Sequence, residues 1–214
     1  MSKIGIIGVT GYAGGNIANE ALRRGHEVIG VSRTATAAPA EGVELRQGSI
    51  ENRELLAKLF ADSDVVVIAV HGAVEDKPFL PGLVSDLLAL AAAHSVRLGV
   101  VGGAGSLRVA SDGPRFVDTP DFPAAFKAEA NAQAQALDAL RAAATDADWF
   151  YVSPPVGFGA HVPGERRGSY RTGDDVFVYD ADGKSEISGA DFAIAFLDEI
   201  EHPAHHRRRF TVAY

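Results

Sequence analysis

Three glycines, Gly8, Gly11 and Gly14 in "GVTGYAG", span the junction between the apolar run "KIGII" and a helical pattern that begins near Tyr12. At such a strand-to-helix turn, residues without Cβ fold the chain tightly and let backbone N–H groups approach a pyrophosphate at the positive end of the helix. The chemistry implied is dinucleotide binding, with Gly14 allowing the helix to pack closely on the sheet. The next strand ends in "VSRT". NAD-selective sites usually place Asp or Glu there for the ribose 2′-hydroxyl, whereas this chain offers Ser32, Arg33 and Thr34. The planar fork of Arg33 suits a 2′-phosphate, so NADP(H) is the preferred cofactor and NAD(H) the second; the alternative is a solvated arginine.

Other side chains with chemical capacity fall where strands end. His71 follows "VVVIAV" and is the first candidate for a group touching the nicotinamide half or the substrate; Ser106 and His161 are the other catalytic candidates. Tyr151, Ser153 and Phe158 are placed on the substrate side. Phe158 either stacks on a flat acceptor or packs a lid, Tyr151 either faces the site or belongs to the core, and Arg166 or Arg167 either meets a flavin phosphate or is solvated. Pro154-Pro155 admits a cis bond shaping the pocket. None of Tyr12, Tyr151, Tyr170, Tyr179 and Tyr214 has a lysine four positions on, so the Tyr-x-x-x-Lys acid–base pair is missing. Hydride transfer to a delocalised acceptor needs such a pair least, because solvent can protonate the product. His202, His205 and His206 have no acidic or thiol ligand at metal spacing in sequence, and no metal is expected.

The elements that must position these residues alternate. Strands "KIGIIG", "HEVIGVS", "GVELRQG", "DVVVIAV", "RLGVVGG" and "DWFYVS" are interleaved with helices near 12–24, 51–60, 81–96 and 124–144. Strands apolar on both faces and joined by helices imply a doubly wound parallel sheet with helices on both faces, the Rossmann class of α/β fold, whose ligands bind at the carboxyl edge. The long Gly/Pro/Arg-rich stretch from Pro154, a predicted pair of short strands about Asp182-Gly183, a helix at 189–201 and a final "RRRFTVAY" strand complete the chain. One domain, 1–214, is expected, with 154–190 forming a small substrate-side lobe.

Twenty basic against 28 acidic residues give a net charge of −8, which repels nucleic acid and anionic membranes. Zero cysteines exclude disulfides, thiolate metal sites and a cysteine nucleophile. With no leader pattern and only short apolar runs, a soluble cytoplasmic protein is expected, monomer or homodimer, whose partner is a small molecule.

The segments "GIIGVTGYAGGNIANEALRRGHEV", "VVGGAGSL", "DWFYVSPP", "GSYRTGDD", "SEISGADFAIAFLDEIE" and "FTVAY" together resemble the NmrA-like atypical short-chain dehydrogenases, in which a G-x-x-G-x-x-G turn is typical. The nearest branch holds bacterial proteins provisionally assigned as NADH-flavin reductases and biliverdin reductase B. This resemblance covers essentially the whole chain. It implies cofactor contacts at Gly8, Thr10, Gly11, Tyr12, Gly14, Arg33, Ser49, Ile50, Val70, His71, Gly102, Gly103, Pro154 and Pro155. Two departures stand out: Ser49 replaces the Asp that commonly touches the adenine, and "GGAGS" lacks the Thr-Ser pair near the nicotinamide, leaving Ser106 as the nearest hydroxyl. The resemblance implies an NADPH-dependent reductase of flavins or quinone-like acceptors, with flavin as substrate and not as prosthetic group. A cofactor-sensing regulator is the alternative, and a nucleotide-sugar epimerase or dehydratase the third reading.

Overall fold

The computed structural model describes residues 1–34 and 40–214. Along the first strand, β1 (Lys3–Ile7), the pleat sends Ile4 and Ile6 to one face of the sheet and Ile7 to the other, and each set needs its own apolar cover. The chain supplies it by alternation: α1 (Tyr12–Arg23), β2 (Glu27–Ser32), β3 (Val43–Gln47), α2 (Arg53–Ala61) and β4 (Val65–Ile68) follow in turn. A small hairpin, β5 (Ala73–Val74) and β6 (Lys77–Pro78), leads into α3 (Val84–His94) and β7 (Arg97–Val101). Then come α4 (Lys127–Ala142), β8 (Trp149–Ser153), β9 (Arg171–Gly173), α5 (Gly189–Glu201) and β10 (Arg208–Ala213). Ile17, Ala18 and Ala21 of α1 join Phe192, Phe196 and Leu197 of α5 over Ile4 and Ile6. Leu56 and Leu59 of α2, Leu87 and Leu88 of α3 and Leu137 and Leu140 of α4 cover Ile7, Val66 and Ile68.

The eight strands lie in the order β3-β2-β1-β4-β7-β8-β10-β9, all parallel except β9, which pairs antiparallel to β10. The winding reverses between β1 and β4, so the connections leaving these two strands diverge and open a crevice at their carboxyl ends. This is the Rossmann-like, doubly wound sheet implied by the sequence. Among the described residues no helix is long and apolar enough to cross a membrane.

One local expectation is corrected. Instead of strands on either side of Asp182-Gly183, the chain makes a tight turn in which Asp180 Oδ1 accepts the N–H groups of Asp182 and Lys184 at 2.9 and 2.8 Å, a side-chain bond that replaces ladder pairing. The strand that does form is β9, whose Arg-Thr-Gly sequence carries no apolar alternation. The β5–β6 hairpin carries no sequence signal, because its turn residues Glu75 and Asp76 stand at φ 48° and 59°, where glycine or asparagine is the usual marker.

A charged network ties α1 to α5 and to the segment after β8. The buried Glu20 carboxylate binds Arg23 at 2.6 Å, Arg24 at 2.8 Å and Arg166 at 2.8 Å, and Arg24 continues to Asp198 and Glu201. Burial by itself would raise the pKa of Glu20, but the three guanidinium groups outweigh it and bring it down to about 2. Its stabilising effect is therefore fully present above the ordinary carboxylate range and is lost as pH falls toward about 2. Glu20→Ala leaves three guanidinium groups without their shared partner and is expected to cost about 3 kcal/mol. Thermal melts at neutral pH should show a fall of about 6 °C or more. The difference from wild type should shrink as both are acidified, and an unchanged difference would show that the carboxylate is not the stabilising group.

Candidate cofactor site

Backbone presses on backbone at the carboxyl end of β1. Gly8 sits at φ +87°, its N–H donating to Val31 O at 3.0 Å, and a Cβ there would lie 2.2 Å from Ala69 O. A Cβ on Gly14 would lie 2.2 Å from Gly8 O, so α1 begins almost in contact with the turn. Gly11 is the N-cap of α1, and neither a side-chain cap nor an acidic residue covers the first turn of that helix. The uncapped N–H groups at the start of α1 fit a nucleotide pyrophosphate, and a side chain at Gly8 or Gly14 would push the turn and the helix apart. Thr10 Oγ1 and Ser32 Oγ bridge the ends of β1 and β2 at 3.1 Å, and Arg33 stands exposed beyond them.

The end of β4 is held from a helix. Glu129, in the first turn of α4, accepts the N–H groups of Gly72 at 2.8 Å and Ala73 at 2.9 Å, one on each carboxylate oxygen. Gln133, one turn on, donates to Val70 O at 3.3 Å and to Glu129 Oε1 at 3.2 Å. His71 projects from this loop with its side chain 88% exposed and its Nδ1 3.7 Å from Glu129 Oε1. The neighbouring carboxylate raises the His71 pKa above 6.5 against burial and the charge of Arg33. Burial pushes Glu129 up, but His71, the two backbone N–H groups and Gln133 outweigh it and hold the carboxyl below its ordinary range. Neither Glu129 nor Gln133 was identified from the sequence. The available signal was an acid and an amide four residues apart on a helix otherwise rich in alanine and leucine.

The sheet edge brings together the backbone of Gly8, Thr10, Gly11, Arg33, Ser49, Ile50, Val70, His71, Gly102, Gly103, Pro154 and Pro155, each at or just past a strand's carboxyl end. Ser49 Oγ accepts Glu51 N–H at 3.2 Å and Ile50 is buried. All described peptide bonds, those before Pro154 and Pro155 included, are trans. Tyr12 is tied down, its hydroxyl donating to Pro163 O at 3.1 Å and accepting Gly189 N–H at 2.9 Å.

Several side-chain expectations are corrected. Tyr151 is wholly buried and donates to Gln133 O at 3.1 Å; its ring is the floor beneath Gly102, where a Cβ would lie 1.9 Å away. Ser153 and Ser106 are buried too, their hydroxyls 3.0 and 3.3 Å from Nη1 of Arg209, a buried guanidinium paired with Asp175. Ser106 is thus held in the support beneath the edge, and neither Tyr151 nor Ser153 is exposed there, where the sequence reading placed them beside a substrate. Phe158 packs between Tyr12 and Phe192, ring centroids 5.3 and 4.6 Å away, which leaves it a packing residue. Arg166 is paired with Glu20, and Arg167 lies over the Tyr214 ring at 3.7 Å, so neither is a free phosphate ligand. His161 is exposed in the Gly159–Val162 turn, its ring against Gly159.

The histidine cluster lies at the opposite, amino edge of the sheet. His205 Nδ1 is 2.7 Å from Glu199 and His206 Nδ1 2.9 Å from Asp148, acidic partners the fold brings from a distance in sequence. Among the described residues no group of three or more His, Asp or Glu side chains is arranged to hold a metal ion.

Comparison with known proteins agrees with this geometry. A family model described as NAD(P)H-binding matches residues 8–203. The uncharacterized protein YwnB of Bacillus subtilis (strain 168) is 40% identical over 219 residues, covering 98% of this chain and 97% of that protein. A Streptococcus pneumoniae TIGR4 structure provisionally named an NADH-flavin reductase aligns over 100% of this chain and 99% of its own, with 35% identity and TM-score 0.84. A Bacteroides thetaiotaomicron structure provisionally named an epimerase aligns over 99% and 96%, with 31% identity and TM-score 0.86.

Two adjacent glycines test the cradle. Gly14→Ala forces Cβ into the Gly8 carbonyl, whereas Gly15→Ala meets only Val9 O at 3.4 Å, an ordinary contact. The first is expected to destabilise by about 1 to 3 kcal/mol and to weaken nucleotide binding, the second to do neither, as melts and binding titrations would report.

Proposed function

The chain belongs to the NAD(P)H-binding family, and on that premise we propose that it is an NADPH-dependent reductase passing hydride to a flat redox acceptor of the flavin or quinone class. The observation that carries this reading is the bare glycine cradle with Arg33 standing exposed at the end of β2 and no carboxylate in its place. Gly8, Gly11 and Gly14 would hold the pyrophosphate, Arg33 the 2′-phosphate, and Gly102 and Gly103 the nicotinamide half. When bound, the reduced nicotinamide supplies a hydride, so the protein's own task is orientation and exclusion of competing geometries.

The residues present suit an acceptor that needs little acid–base help. Tyr151, the one tyrosine within β8, is buried with its hydroxyl bonded to Gln133, and burial pushes its pKa above the usual phenol value. That disfavours alcohol–ketone chemistry and epimerisation, even though one structural relative carries a provisional epimerase name. Phe126, Val74, Val156 and Val162 are exposed apolar side chains on the loop segments of the chain, available to a flat ring system in this reading. The stretch 154–190 forms the substrate-side lobe in this reading. The name of the Streptococcus relative supports a reductase.

A second reading, a non-catalytic NADP(H)-sensing regulator, is favoured by the burial of both Ser106 and Ser153 beneath the edge. The two readings separate on turnover. Purified protein is expected to oxidise NADPH faster than NADH with FMN, riboflavin or a simple quinone as acceptor; tight NADPH binding with no oxidation under any acceptor would establish the sensor instead. Arg33→Ala is expected to raise the NADPH dissociation constant about tenfold or more and to leave that of NADH nearly unchanged. Equal losses for both cofactors would remove the NADPH assignment.

A further inference from the structure

We propose that Glu129 is the positioning residue of the cofactor site, fixing the Val70–Ala73 backbone and presenting the His71 imidazole, at the same sheet edge as Arg33, to a phosphate of the bound nucleotide. The inference rests on the nucleotide-binding reading above and adds residues outside the glycine turn.

Three observations carry it. First, the Glu129 carboxylate is committed on both oxygens to a loop that is not its own: Oε1 takes Gly72 N–H and Oε2 takes Ala73 N–H, and the same Oε1 lies 3.7 Å from His71 Nδ1. A carboxylate bound through both oxygens to successive N–H groups fixes a peptide plane, and with it the direction in which the next side chain leaves. Gln133 doubles the hold from the same helix by donating to Val70 O, and Gly72 is packed so that a Cβ would lie 2.8 Å from Gln133 N.

Second, the imidazole so held is exposed, and among the described residues Glu129 is its one ion-pair partner. The imidazole has its carboxylate on one side and open solvent on the other, which leaves its remaining ring edge accessible to a ligand at the sheet edge.

Third, the charge of Arg33, two strands away across β1, acts on His71. Two cations at one sheet edge disfavour one another, and an anion bound at that edge lowers the penalty. The first turn of α1, without a side-chain cap, adds N–H groups at the same edge.

The charged groups acting on His71 are Glu129 from α4 and Arg33 from the end of β2, while Glu75, Asp76 and Lys77 stand exposed at the hairpin beyond it. The carboxylate is the larger influence and favours the imidazolium. A phosphate contact made by the imidazolium is present below the His71 pKa and is lost as pH rises through it, so nucleotide affinity should decline across that range.

The test uses Glu129→Gln and His71→Gln in the full chain, with two readouts. Proton–nitrogen NMR of the imidazoles without nucleotide, His71 being assigned by its loss in His71→Gln, should show the His71 titration moving to lower pH in Glu129→Gln. Calorimetric titration with NADP+ and NAD+ between about pH 6 and about pH 8 should show wild-type affinity falling with pH. It should also show a loss of about tenfold at neutral pH in His71→Gln, and in Glu129→Gln a pH dependence displaced to lower values. Loss confined to NADP+ assigns the contact to the 2′-phosphate; equal loss for both assigns it to the pyrophosphate, and either supports the inference. Since Glu129→Gln also loosens a loop, its melt is recorded, and His71→Gln, which leaves the clamp in place, decides if that variant does not fold. Affinity that is flat with pH, or unaffected by His71→Gln, would overturn the inference while leaving cofactor binding intact. Failure of the wild type to bind either nucleotide would overturn the cofactor reading beneath it.

Discussion

The rest of the molecule depends on how closely three pieces of backbone approach one another at Gly8. The carbonyl of Ala69 at the end of β4, the turn itself and the first residues of α1 meet at distances that leave no space for a Cβ at Gly8 or Gly14. That contact sets the depth of the crevice at the point where the strand order reverses, and it brings the start of α1 to the sheet edge with its N–H groups bare. Any side chain at these positions would push the helix outward and separate the donors from the edge they serve. The cradle is therefore a consequence of packing between main chains, and the side chains around it are arranged about a fixed backbone surface.

Burial of charge explains the pairing of the arginines that are withdrawn from water. Arg166 and Arg24 close on Glu20, Arg97 binds Glu199 and Asp148, and Arg209 is buried against Asp175. In each case removal from water raises the cost of an unpaired charge, so guanidinium and carboxylate are held together. Asp191 performs the same task for the last part of the chain, accepting the N–H groups of Arg167 and Gly168 at 2.7 and 2.8 Å and taking a hydrogen bond from the Tyr214 hydroxyl. The segment after β8 is thereby fastened over α1 and α5, and Tyr12 joins it to the glycine turn. Arg33, with no ion-pair partner among the described residues, and His71, paired among them with Glu129 alone, are the exposed basic side chains that follow β2 and β4 at the carboxyl edge of the sheet.

Support for the site runs inward from its surface in layers. Gly102 lies on the Tyr151 ring, Tyr151 donates to Gln133, and Gln133 and Glu129 hold the loop after β4. The hydroxyls of Ser106 and Ser153 are absorbed by Arg209 in a parallel arrangement beside it. Polar side chains that read as substrate contacts in one dimension thus make a floor in three, while the surface above them is mostly main chain and glycine. A site of this kind positions a cofactor well and offers few acids or bases of its own, in keeping with chemistry supplied largely by what it binds.

The sequence by itself determined the sheet, the two helical layers and the glycine cradle. Those features rest on short-range regularities: apolar residues on both faces of short strands, helical periodicity, and glycines at a strand-to-helix boundary whose steric requirement is local. It also placed Arg33 and His71 at strand ends, since a strand's carboxyl end is legible from its pattern. Only the tertiary structure decided which side chains there are exposed. Tyr151 and Ser153 alternate along β8 like site residues and Ser106 follows the end of β7, yet Tyr151 bonds to Gln133 of α4 and both serine hydroxyls to Arg209, and nothing local records which face of β8 a distant helix and strand will cover. Glu129 stood 58 positions after His71 in an ordinary helix. Its role exists because α4 lays its first turn against the loop after β4, and a hydrogen bond between segments so far apart is set by packing of the whole sheet and not by either segment's own preference.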